Sequence, residues 1–126
     1  MKFALTITAL AVLVLTSTVF AEGCVDIFFE VPGMVHPGEV VTVSGGITNC
    51  GDTPGVAHLT ATLTHNGEPI PVNAKAAVKL AAGETRTYEM EVEVPPEIMI
   101  GTYELCVTAK LKGATDTECA VIEVME

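Results

Sequence analysis

From residue 25 onward, apolar and polar positions alternate with a period of two. Val25, Ile27, Phe29 and Val31 share one parity while Asp26 and Glu30 take the other, which predicts a strand with one buried face. Val41, Val43 and Ile47 predict a second strand. Leu59, Ala61 and Leu63 alternate with His58, Thr60, Thr62 and Thr64, and Tyr88, Met90, Val92 and Val94 alternate with Thr87, Glu89, Glu91 and Glu93. Further inward rows run through Tyr103, Leu105, Val107, Ala109 and Leu111, and through Ala120, Ile122 and Val124. A less regular strand between residues 69 and 80 brings the count to seven. Turn chemistry separates these runs at Pro32-Gly33, Pro37-Gly38, Gly51 to Gly55, Asn66-Gly67, Ala82-Gly83, Pro95-Pro96 and Lys112-Gly113. Asn73 to Ala82 is the single stretch compatible with a helix, and it is short and close to Gly83. The pattern predicts an all-β, seven-stranded antiparallel sandwich.

Two features disturb the pattern. Gly45-Gly46 interrupts the second strand and is expected to form a bulge. Asp116 and Glu118 carry the inward parity of the last strand, so its start is expected to fray.

The beginning of the chain has a different character. Lys2 precedes a mostly apolar run from Phe3 to Leu15, and Thr16 to Ala21 then turn small and polar. This is the pattern of a secretory signal peptide over residues 1–21, cleaved after Ala21, with the sandwich domain filling 22–126. The threonines at 6, 8, 16 and 18 break the run short of the ~20 apolar residues that a spanning helix needs. A lipoprotein anchored at Cys24 is the rival reading, but Glu22 fits that motif poorly and lipidation would orphan one cysteine. None of Asn49, Asn66 and Asn73 begins an Asn-x-Ser/Thr sequon, which favours a bacterial periplasmic or secreted protein.

Charge narrows the partners. Of 126 residues, 16 are acidic and 6 basic, and without Lys2 the 22–126 segment sets five basic residues against 16 acidic, a net charge of −11. Nucleic acid and anionic membrane surfaces need a Lys/Arg footprint, so neither is expected as a partner. The oligomeric state is left open.

Four cysteines in an exported chain point to two disulfides. Register selects the pairs. If Lys112-Gly113 is a two-residue hairpin turn, Leu111 faces Ala114 and counting outward sets Cys106 opposite Cys119. Pairing Val31 with Val43 and Ile27 with Ile47 likewise sets Cys24 opposite Cys50. Each bridge is expected to contribute on the order of 3 kcal/mol. Cys-x-x-Cys spacing is absent, which argues against a thiolate metal site or redox catalysis.

Pro37-Gly38-Glu39 opens a strand, Ala82-Gly83-Glu84 precedes another, and Pro95-Pro96 leads into Gly101-Thr102-Tyr103-Glu104-Leu105. In these segments the chain resembles the bacterial and archaeal immunoglobulin-like modules of the CARDB-like and NEW3-like type, over most of residues 24–126. That resemblance implies a fibronectin-III-like sandwich serving as a surface or periplasmic spacer or binding unit. The four cysteines and the isolated domain depart from the usual pattern of those modules.

No catalytic apparatus is legible. Ser44 is the only serine after residue 21 and has no Gly-x-Ser-x-Gly elbow. Glu89, Glu91 and Glu93 recur at roughly 6.8 Å, which overlaps an inverting glycosidase's carboxylate separation, but a solvated strand face gives no desolvation to raise one pKa. The expectation is a non-enzymatic module for protein interaction or structural spacing, without a cofactor. Phe28, outward between Asp26 and Glu30, is the candidate contact. A second reading is a periplasmic copper protein. Strands alternating up and down would bring Met34, His36, His65 and Met99 to one end, with His58 at the other, and thioether with imidazole suits copper. Met99 between Ile98 and Ile100 is, however, expected to pack. A third reading is a protease inhibitor presenting the Gly51–Gly55 loop beside Cys50.

Overall fold

The computed structural model describes residues 23–126; the signal-peptide reading of 1–21 lies outside the described residues. Nine strands form among them: β1 (Val25–Glu30), β2 (Met34–Val35), β3 (Val40–Asn49), β4 (Gly55–His65), β5 (Glu68–Ile70), β6 (Lys75–Leu80), β7 (Thr85–Glu93), β8 (Gly101–Leu111) and β9 (Ala114–Val124). They make two sheets, β1-β3-β7 and β2-β9-β8-β4-β5, with β6 also hydrogen-bonded to β4. The fold is an all-β sandwich with no helix among the described residues.

The count of seven is therefore corrected to nine, for two local reasons. Pro32-Gly33 ends β1 and lets the chain cross to the other sheet, where Met34 and Val35 pair in parallel with Glu123 and Val124. Two residues are too few to show a period. The strand expected over 69–80 is two strands on one edge of β4. β5 pairs Leu63 with Ile70, whereas β6 pairs Thr60 with Lys75, a register offset of two residues that makes the chain from Pro71 to Asn73 arch outward before Ala74 rejoins β4. Pro71 has no N–H to donate to a ladder, so the break falls there.

The inward rows meet between the sheets, where Val43, Ile47, Leu59, Leu63, Val107 and Leu111 are fully buried. Both two-residue hairpins have positive φ at each turn residue, Asn66 with Gly67 and Lys112 with Gly113, and they close on His65–Glu68 and Leu111–Ala114. That is the twist-matched hairpin geometry.

The expected bulge at Gly45-Gly46 does not form, because β3 keeps one register with β1 and another with β7 straight through both residues. Close approach explains the glycines instead. A Cβ on Gly45 would overlap the Phe28 carbonyl and lie 2.7 Å from Phe29 Cα, so only glycine lets β1 approach. The Tyr88 hydroxyl donates to that same carbonyl at 3.0 Å. On the outer face the Phe28 ring covers Gly46, where a Cβ would fall 2.5 Å from Cε1.

The expected fraying of the last strand is also corrected. β9 pairs with β8 along its whole length, Asp116 facing Ala109 and Glu118 facing Val107. Asp116 points inward because it has a partner there: its carboxylate accepts the Ile27 N–H at 2.9 Å, capping the free edge of β1.

Candidate functional site

Among the described residues, one concave feature lies at the end where β4 finishes, β8 begins and β9 finishes. It is a groove of about 750 Å³. Tyr103 forms its floor, with the His65 ring stacked on it at 4.5 Å between centroids. The Tyr103 hydroxyl donates to the Met99 carbonyl at 2.6 Å, which ties the β7–β8 loop to the floor. A turn closed by the Ile98 N–H on the Pro95 carbonyl shapes one wall, and the Pro71-Val72-Asn73 arch forms the other. The arch is thus a direct product of the β5–β6 break.

The lining is mostly apolar, from Ile70, Pro71, Val72, Pro95, Pro96, Ile98 and Met99, with Glu93 and Glu97 as its charged members and no Lys or Arg. Met99 and Ile100 are 72% and 59% exposed, so the expectation that Met99 packs between its isoleucine neighbours is corrected. Tyr103 already fills the inward position there, and the Pro95–Ile98 turn lifts the next two residues out of the core.

The four copper candidates do not converge. His65 and Met99 line the groove, but Met34 lies on the edge strand β2 of the larger sheet, with His36 directly after that strand. Strands β9 and β8 separate β2 from β4, a distance of about 14 Å at ordinary strand spacing. A single ion cannot collect donors so far apart. His58 is exposed near the other end, opposite Lys110. The one group of three His, Cys, Asp or Glu side chains close enough to share a metal ion among the described residues is Glu104, Cys106 and Cys119, and its two sulfurs are bonded to each other.

Cys24 is bonded to Cys50 and Cys106 to Cys119, with Cα separations of 4.9 and 4.0 Å. These are the pairs that the register count selects, and they suit an oxidising compartment. Asn49, buried beside the first bridge, had no signal in the alternation beyond its inward parity. Its amide donates to the Thr53 carbonyl at 2.8 Å and its side-chain carbonyl accepts the Gly51 N–H at 3.0 Å. The Gly51–Gly55 loop, the inhibitor candidate, is therefore wrapped around a buried amide.

Phe28 is 61% exposed on the outer face of the smaller sheet, facing Gly46. Around it Asp26, Glu30, Ser44, Glu89, Glu91 and Glu93 occupy the same face. Ser44 lies between Glu30 and Glu89 with no imidazole within the depression that these residues line with Phe28 and Tyr88. Burial pushes the Tyr88 hydroxyl up to about 12.

No protein-family model and no curated protein matches the sequence. Solved structures do. A β-glucosidase from Listeria innocua in complex with glucose superposes with a TM-score of 0.63 at 19% identity, over 81% of this chain and 16% of that one. The region of Escherichia coli α2-macroglobulin from domain MG7 to the C-terminus gives 0.58 at 20% identity, over 82% of this chain and 17% of that one. The CARDB domain of a Pyrococcus furiosus protein, in complex with di-metal ions, gives 0.58 at 14% identity, and there the coverage is 82% and 89%. The chain spans about a sixth of the two large proteins, matching one small domain of each, and at these identities the likeness concerns the fold. This chain has the fold of a CARDB-like, immunoglobulin-like β-sandwich.

Proposed function

We propose that the protein is an exported, non-catalytic interaction module that docks an apolar segment of a partner protein at its Met99–Ile100 end. The observation that supports this reading is the exposure of Met99 and Ile100 beside an apolar groove, on a molecule whose two outer sheet faces are otherwise mostly Thr, Glu and Lys. Two large apolar side chains kept in water at the lip of a concave, apolar surface are what a contact site offers before its partner arrives. Charge narrows the partner further. Glu93 and Glu97 line the groove and Glu39 stands at the same end, so the complementary surface is an apolar segment flanked by Lys or Arg. Two disulfides and the leader-like first 21 residues support export.

Affinity capture from the extracytoplasmic fraction of the source cell tests the proposal, comparing the native domain with Ile100→Asp and with Thr115→Asp at the far end. A partner retained by the native domain and by Thr115→Asp but lost with Ile100→Asp is the expected result. Equal retention by all three variants, or none by any, contradicts it.

A further inference from the structure

The short parallel pairing of β2 with β9 has a chemical consequence that the alternation alone does not disclose. Because Met34 faces Glu123 and Val35 faces Val124, the next level sets His36 beside Met125. The Met125 N–H donates to the Val35 carbonyl at 2.8 Å, so the pairing extends to that level. Val35 and Val124 point into the core, and Met34, His36 and Met125 therefore share the outward face. Met34 and Met125 are 64% and 43% exposed and His36 is exposed as well. Residues two apart on a strand are about 6.6 Å apart and neighbouring strands about 4.8 Å. Two thioethers on flexible side chains thus flank one imidazole within reach of a common point.

The imidazole is also held as a ligand would be. Its Nδ1 lies 3.2 Å from the Met125 carbonyl, an oxygen that can only accept, so in the neutral ring this contact places the proton on Nδ1 and leaves the Nε2 lone pair for a ligand. The His36 N–H donates to the Glu39 carboxylate at 2.8 Å, which anchors the backbone on the other side. His65 differs in just this respect. Its Nδ1 meets the Thr102 carbonyl at 2.9 Å, but its Nε2 pairs with the Asn66 amide at 3.4 Å. The Glu123 carboxylate, opposite Met34, accepts from the Thr102 hydroxyl at 2.9 Å.

The geometry points to a cuprous-ion site formed by Met34 Sδ, His36 Nε2 and Met125 Sδ. Two thioethers and one neutral imidazole are a soft, three-coordinate set that selects Cu(I) over zinc, magnesium or calcium. The site is separate from the groove and its proposed partner, and it replaces the four-donor arrangement with one that the sheet brings together on adjacent strands.

The test is competition for Cu(I). The oxidised domain, whose described core and both disulfides lie within residues 24–126, is titrated anaerobically with Cu(I) in ascorbate against the chromogenic chelator bicinchoninate, and a thiol reagent confirms that both disulfides stay closed. One Cu(I) per chain is expected to be withheld from the chelator. Met34→Leu, Met125→Leu and His36→Gln are each expected to weaken retention by about 100-fold or more, since even the outer partners of a metal ligand are worth roughly 10–100-fold. Leucine conserves volume at exposed positions, and unchanged circular dichroism confirms folding. His65→Gln and Met99→Leu are expected to retain copper like the native domain. No copper withheld by the native domain, retention unchanged in the Met34/Met125 double variant, or loss caused by the His65 or Met99 variants would overturn the assignment.

Discussion

Gly45 and Gly46 are adjacent, both are central in β3, and the structure assigns them opposite tolerances. In Gly45→Ala the new methyl falls on the Phe28 carbonyl oxygen, 2.7 Å from Phe29 Cα and 2.9 Å from Phe28 C. All three are backbone atoms of β1, so no rotamer relieves the overlap and the strand must move. Overpacking of this kind costs about 1–3 kcal/mol, and displacing the Phe28 carbonyl from the Tyr88 hydroxyl adds about 1 kcal/mol. The expected loss is therefore about 3 kcal/mol. In Gly46→Ala the methyl meets Cε1 and Cζ of the Phe28 ring at 2.5 and 2.8 Å, the far end of an exposed side chain that can swing aside. The lost ring contact is offset by the smaller unfolded-state entropy of alanine, worth about 0.4–1 kcal/mol, so the net change should stay within about 0.5 kcal/mol. The chain has no Trp, so urea unfolding with disulfides intact is followed by far-ultraviolet circular dichroism. Gly45→Ala within about 1 kcal/mol of the native protein, or Gly46→Ala as damaging as Gly45→Ala, would refute the close-approach explanation.

Other outcomes follow from single contacts. Asp116→Ala should cost about 1–2 kcal/mol by leaving the Ile27 N–H uncapped, with Asp116→Asn intermediate, in the same unfolding assay. The Tyr88 hydroxyl titrates near 12 in the fold against 10.0 when unfolded, so folding favours its neutral form. That stabilisation is complete below pH 10 and is lost progressively as pH rises through 12. Tyr88→Phe should lack this loss when stability at pH 9 and pH 11 is compared. Replacing both cysteines of a bridge with Val should cost about 3.5 kcal/mol for Cys24–Cys50 and about 3 kcal/mol for Cys106–Cys119, in proportion to the loops that they close. Non-reducing peptide mapping should recover Cys106 joined to Cys119.

What could be read from the chain depended on whether a residue's environment is local. Lys112-Gly113 fixes its own turn, and counting outward from it reaches the Cys106–Cys119 pair without knowledge of the rest of the sandwich. The inward rows are equally local, because burial on one face imposes a period of two. The misreadings arose where a residue answers to another strand. A glycine within a strand signals either a bulge or a close neighbour, and what distinguishes them at Gly45 is Phe28, which is 17 positions earlier. Asp116 has inward parity for the sake of an N–H on β1, a partner 89 positions away. β2 was invisible because its two residues are recruited by β9. The groove was hidden too, since it depends on where Pro71 breaks one edge strand and on how Tyr103 holds the Met99 carbonyl. Met34, His36, His65 and Met99 are not neighbours, since strand alternation gives the end of the sandwich and not the neighbour across the sheet.

The proposed contact surface is the Met99–Ile100 end. Site-specific photocrosslinking in the source cell tests it most directly, with a photoreactive residue at position 99 in one strain and at position 115, near the Lys112-Gly113 hairpin at the far end, in another. A discrete adduct from position 99 that is absent from position 115, and that disappears with Ile100→Asp, is the expected result. Adducts from both positions alike, or from position 115 alone, would contradict the claim.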